Sequence, residues 1–116
     1  ASTPESEENC AIMAAQEIRE YLTHGNIKNS VNFPNCVVPY NGKPRITVCH
    51  QNIVNMIGQL GAVFTKYSVN IDKLVNNSKG DLAYNIVGCD NLPENIDDMI
   101  KDLYAINTVL KVRILD

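Results

Sequence analysis

One hundred and sixteen residues suffice for one modest domain around a single small core. Thirteen acids against ten bases leave a net charge of −3, and the bases are scattered rather than gathered into a stripe, which argues against nucleic acid as a partner. No apolar run approaches the roughly 20 residues needed to cross a bilayer, and no charged start precedes an apolar signal core, so a cytoplasmic chain with no membrane partner is expected.

In chain order, Thr3-Pro4-Glu5 offers an N-cap, a proline at the first helical position and an acid in the first turn; His24 and Gly25 supply a closing cation and a left-handed stop. The helix between them carries an apolar stripe of Cys10, Met13, Ala14, Ile18, Tyr21 and Leu22. From Asn26 to Pro44 the chain holds Pro34, Pro39 and Pro44 among several asparagines, which predicts an extended, turning connector. Val31, Phe33, Val37 and Val38 are its candidate anchors on a neighbouring surface.

The next stretch, RITVCHQNIVNMIGQLGAVFTKYSVNI from Arg45 to Ile71, reads as a strand, a polar corner, a helix and the start of a second strand. Arg45 to Cys49 is short and β-branched, whereas Ile53, Met56, Ile57, Leu60, Val63, Phe64 and Tyr67 recur at the spacing of one helical face. Val69–Asn77 and Leu82–Cys89 predict a hairpin closed by Ser78-Lys79-Gly80-Asp81. A second helix begins after Leu92-Pro93-Glu94 and buries Ile96, Met99, Ile100, Leu103 and Tyr104; an alternating strand from Thr108 to Leu115 follows. The order β-α-β-β-α-β predicts an α+β, ferredoxin-like fold, two helices on one face of a four-stranded antiparallel sheet, preceded by the long helix and the connector.

Chemistry concentrates in the corner. His50, Asn52 and Asn55 crowd the point where the period changes, and a helix start leaves its first N–H groups unpaired and ready for an anion. Asn70 adds an amide where the second strand begins. Together these are the groups a small zwitterion needs. The same asparagines could be caps and the histidine structural. For an enzyme the corner lacks an acid placed to orient His50, and Gly58 and Gly61 lie too far into the helix to cradle a phosphate. RNA binding of this fold would need aromatics on the central strands, where Tyr84 stands alone. The cysteines, Cys10, Cys36, Cys49 and Cys89, form no C-x-x-C pair, and Cys49 and His50, neighbours in a strand, point to opposite faces, so free thiols and no metal are expected.

The run EENCAIMAAQEIREYLTHGNIKNSVNFP, followed by PRITVCHQN and, after the helix, by VNI, resembles the C-terminal part of the bacterial D-3-phosphoglycerate dehydrogenases, which ends in an ACT regulatory domain. The resemblance covers almost the whole chain, and GNIKNSVNFP is its most specific piece. It implies a division into residues 1–25, an interdomain helix; 26–43, the connector; and 44–116, the ACT domain. Ala1 to Glu5 would follow the family's catalytic histidine, which is absent along with the dinucleotide-binding and substrate domains. The fragment is then no enzyme and needs no cofactor, and NAD belongs to the missing part of an enzyme that opens serine synthesis. The stripe of the leading helix would rest on those domains, so here it should pack on a second copy or stay loose.

The resemblance also implies that L-serine binds between two ACT domains and inhibits the enzyme. His50 and Asn52 correspond to the histidine and asparagine ending the first strand, and Asn70 to an asparagine from the other subunit. Second-strand edges, around Asn70 to Val75, would pair in a homodimer as one eight-stranded sheet. The expected ligand geometry seats a carboxylate on the backbone amides of Asn55 and Met56. Many ACT domains carry Pro-Gly where this chain has Val54-Asn55; Asn tolerates a left-handed backbone, but its side chain narrows the approach, and loss of serine sensitivity is one outcome. The alternative is a purely structural dimerisation module that binds nothing.

Overall fold

β1 (Arg45–Gln51) is the centre of the molecule because it is paired on both sides and covered on both faces. The computed structural model describes residues 16–28, 30 and 33–116. Within them α1, whose described residues are 16–24, is followed by β1, α2 (Met56–Lys66), β2 (Ile71–Lys79), β3 (Leu82–Cys89), α3 (Ile96–Ala105) and β4 (Val109–Leu115). The four strands form one antiparallel sheet in the order β2-β3-β1-β4. This is the expected ferredoxin-like α+β arrangement.

Strand alternation divides the side chains between two cores. Ile46 and Val48 of β1, with Val87 and Cys89 of β3, meet Leu60 and Phe64 of α2 and Met99 and Leu103 of α3. Cys49, Tyr84 and Ile86 point the other way and meet Ile27, Cys36 and Val38 of the connector. Both central strands are therefore buried almost throughout, whereas the edge strand β2 is mostly exposed. The connector is held in shape by a bridge between Ile27 and Cys36, each N–H donating 2.8 Å to the other's carbonyl.

The phase of α2 departs from the expected stripe. Its first residue is Met56, and Met56, Leu60 and Phe64 go inward while Ile53 and Ile57 stay 45% and 44% exposed. Each helical residue turns about 100°, so Ile57 leaves the face that Met56 occupies, and Ile53 precedes the helix altogether. In α3, Met99 and Leu103 are buried but Tyr104 is 42% exposed; its hydroxyl instead accepts the Val112 N–H at 3.0 Å. The hairpin turn is also tighter than expected. Ser78 and Lys79 continue the ladder opposite Ala83 and Leu82, leaving a two-residue turn in which Gly80 takes φ 60°.

The end of α1 lies on the chain's own sheet, not loose. Its last carbonyls carry the negative end of the dipole, and besides the Gly25 N–H, which donates to the Tyr21 carbonyl at 2.9 Å, side chains from the sheet supply donors. Arg113 donates to the carbonyls of Tyr21 (3.2 Å) and Leu22 (3.0 Å), Arg45 to that of His24 (3.1 Å) and Tyr84 to that of Gly25 (2.6 Å). Of the expected stripe, Tyr21 packs against the outer core, Ile18 and Leu22 remain 59% exposed, and Cys10, Met13 and Ala14 lie outside the described residues. Val31 does too, whereas Phe33 and Val38 anchor on the sheet and Val37 stays exposed. Among the described residues no helix is long and apolar enough to cross a membrane.

Candidate functional site

The corner between β1 and α2 turns on Asn55. Its backbone is left-handed, φ 65° and ψ 17°, and α2 starts at the next residue with no side-chain cap and no acid in its first turn. The Asn55 side chain folds over Gly58, where a Cβ would sit 2.7 Å from Asn55 Oδ1. A bulkier residue at 58 would displace that amide. Gly58 thus serves the corner from inside the helix. The amides of the first helical turn, beginning at Met56, are the groups that a helix leaves for an anion. The Met56 side chain is buried at 2% exposure, with its sulfur 3.6 Å from Thr108 Oγ1 and 3.8 Å from Gln59 Nε2.

His50 shares the helix-side face of β1 with Ile46 and Val48. It is 2% exposed. Its Nδ1 lies 2.7 Å from the Gln51 carbonyl oxygen, which only accepts, so Nδ1 carries the proton and Nε2 of the neutral ring keeps a lone pair. Nε2 is buried and meets no partner among the described residues. Buried polar atoms are almost always paired, so this one makes the corner the candidate site. Asn52 is exposed and tied to the hairpin turn: its N–H donates to the Asp81 carbonyl at 2.8 Å and its Nδ2 to that of Gly80 at 3.2 Å.

Asn70 is elsewhere. The pairings Arg45 with Gly88 and Ile71 with Cys89 place it beside the start of β1, while His50 stands near the finish. Five strand residues separate those two positions, about 17 Å at the usual rise. Asn70 Nδ2 donates to Asp90, and the Asp90 N–H returns a bond to the Asn70 carbonyl at 3.0 Å. Lys43 Nζ, 2.7 Å from Asp90 Oδ1, and the Asn70 amide hold the Asp90 carboxyl below its ordinary pKa. One chain therefore gathers His50, Asn52, Asn55 and Met56 at one end of the sheet and Asn70 at the other. No free amino acid spans the two within one copy.

The most prominent cavity, about 790 Å³, is on the opposite face of the sheet, where Tyr21, Ile27, Phe33, Cys49, Tyr84 and Leu110 line it. It is apolar space under α1 and the connector, chemically unlike the corner. Among the described residues no cluster of His, Cys, Asp or Glu is placed to hold a metal. Cys36, Cys49 and Cys89 are buried free thiols.

Sequence reasoning passed over three residues. Arg45, 2% exposed, donates to the carbonyls of His24 and Pro39 (2.6 Å) and to Asn26 Oδ1 (3.4 Å), clipping the connector to β1. Burial lowers its pKa. Asn26 Oδ1 also accepts the Val38 N–H at 2.8 Å. Asn85 is fully buried. Its signal was a lone amide inside the apolar run LAYNIVGC, as Arg45 was a charge heading a β-branched one.

No family model matches the chain. Over 114 residues it is 24% identical to D-3-phosphoglycerate dehydrogenase of Escherichia coli K12, which takes in 98% of this chain and 28% of that protein. Similarity to D-3-phosphoglycerate dehydrogenase 1 of Saccharomyces cerevisiae is also 24%, over 98% of this chain and 25% of the relative. Among solved structures, the ACT domain from GTP pyrophosphokinase of Chlorobium tepidum superposes with a TM-score of 0.51 at 20% identity, covering 63% of this chain and 84% of that one. The chain has the fold of an ACT domain and is similar over nearly its whole length to part of the D-3-phosphoglycerate dehydrogenases. The chain spans about a quarter of the length of these curated relatives. Asn55, which stands where the resemblance led us to expect a glycine, adopts the left-handed backbone itself.

Proposed function

We propose that this ACT domain senses L-serine, and that two copies enclose each ligand. The single observation that carries the reading is the buried, partnerless Nε2 of His50 at the end of the sheet where α2 begins without a cap. The carboxylate lies on the first amides of α2, from Met56 on, and the ammonium or hydroxyl donates to His50 Nε2. Asn52 offers its remaining amide oxygen. Asn70 comes from the second copy, which brings the far end of its own sheet to this corner; the 17 Å separation within one chain, an estimate from strand rise, requires this. The exposed edge of β2 is the surface through which two sheets join. In the whole protein the response is feedback inhibition of an NAD-dependent phosphoglycerate dehydrogenase. The nucleotide and the substrate both belong to the part of the relatives that this chain does not span.

Isothermal titration of the chain with L-serine tests the reading. Saturable heat at up to millimolar ligand, lost in His50→Ala, is expected; no heat and no thermal shift would end it. The competing reading, an association module without a ligand, draws on the Asn70 amide being already given to Asp90. Its mark is a dimer indifferent to every amino acid.

A further inference from the structure

Asn85 is a polar residue in a layer of apolar ones, and what it is there for is not explained by the fold. Val87 and Cys89, on its face of β3, belong to the core under the helices, and Asn85 itself has no exposed surface. An amide in such a place is costly unless its hydrogen bonds are made. Two of them are: Nδ2 donates to the Val48 carbonyl at 3.3 Å, and Oδ1 accepts from Asn76 Nδ2 at 2.7 Å. An amide has two N–H groups and two carbonyl lone pairs, so one donor and one acceptor position remain unspent.

The register places that reserve beside the corner. Val48 pairs with Asn85 and His50 with Ala83, so Asn85 and His50 are diagonal neighbours on the helix-side face of adjacent strands. At this offset Cα atoms lie about 7–8 Å apart, within reach of side chains of this length. One neighbour keeps a bare lone pair on Nε2; the other keeps an N–H. A hydroxyl both donates and accepts, and is the smallest organic group that satisfies the two at once.

We propose that Asn85, steadied by Asn76, is a specificity-determining residue of the amino-acid site, forming with His50 a pair that selects a ligand bearing a side-chain hydroxyl. The inference rests on the reading that this corner binds an amino acid. The hydroxyl donates to His50 Nε2 and accepts from Asn85 Nδ2, while the ligand's carboxylate stays with α2. Asn76 stands exposed on β2 and, through its bond to Oδ1, fixes the Asn85 amide in one orientation. An apolar side chain entering the same space leaves both groups unpaired, which is how a polar site rejects an analogue lacking the hydroxyl.

Competition titrations with L-serine and L-alanine, on the wild-type chain and on Asn85→Leu and Asn76→Ala, decide it. Wild type should prefer serine by about tenfold or more. Asn85→Leu should bring the two affinities to within about threefold, mainly by weakening serine. Asn76→Ala, an exposed change that leaves the core filled, should reduce the preference in part and covers the case in which Asn85→Leu fails to fold. An unchanged serine-to-alanine ratio in a folded Asn85→Leu, or in Asn76→Ala if Asn85→Leu does not fold, overturns the assignment while leaving the site intact. Absence of any amino-acid binding by wild type overturns the site itself.

Discussion

Asn55 and Arg45 show at the residue scale how the same physics is easy or hard to foresee. That Asn55 could take a left-handed backbone was legible, since the resemblance put it where a glycine was expected and Asn tolerates positive φ, and its φ of 65° fits that reasoning. Asn55→Gly should therefore leave the urea midpoint nearly unchanged or slightly raised, while Asn55→Ala should cost about 1 kcal/mol. A destabilised glycine variant would mean that the side chain over Gly58 matters more than the backbone. Arg45 was not legible as an anchor. Its acceptors are carbonyls at His24 and Pro39, on either side of the connector's loop, and carbonyls leave no mark in a sequence. Arg45→Ala should cost about 2–4 kcal/mol in urea denaturation, because the connector's carbonyls at His24 and Pro39 lose a charged donor and a buried side chain is emptied. Arg45→Lys should recover only part of that, since an ammonium has no fork to reach both. Equal stability of the lysine variant and wild type would remove the fork from the account.

Among the elements, the four strands and two helices of the sheet could be read from periodicity, but the phase of α2 could not. Phase depends on the residue at which the helix begins, and the left-handed Asn55 sets that start at Met56, putting Ile57 outside. The connector was legible as extended and turning; that it forms a second core on the outer face was not, because its anchors meet residues as distant in the chain as Tyr84 and Ile86. Gly25 marks where α1 meets the sheet, with φ 74° and a Cβ position 2.6 Å from Thr47 Cγ2. Gly25→Ala should thus lose more than about 1 kcal/mol, from both strain and crowding. The two cores also make the chain sensitive to alkali. Burial pushes the Cys36 and Cys89 thiols up to about 11, from an ordinary 9.0. The unfolded chain therefore gives up these protons first, so stability present below about pH 9 falls as pH rises through the folded values. Urea midpoints should drop between about pH 8 and about pH 10.5, and Cys36→Ala should flatten the drop. A slope unaffected by that change would assign the effect to other groups, Tyr84 foremost, whose burial raises its pKa as well.

For the whole molecule, the sequence offered candidate residues for a site but not their distribution. His50 and Asn70 both looked like one cluster when read along the chain, twenty residues apart; the antiparallel register sends them to opposite ends of the sheet. A shared ligand then demands a second copy, arranged so that the finish of one β1 faces the start of the other's β2. This is the claim on which regulation rests, since a ligand held by two copies binds more tightly to one arrangement of the pair than to another and so shifts the equilibrium between them. It is tested most directly by mixing two inactive variants. His50→Ala and Asn70→Ala should each abolish L-serine heat as homodimers, because every shared site then lacks one group. Dissociated, mixed and reassociated, they should regain serine binding in the heterodimers, where one site receives His50 and Asn70 intact and the other neither. A mixture as silent as its parents, with heterodimers verified by mass, or an Asn70→Ala chain that binds serine like wild type, would contradict a site built across two copies.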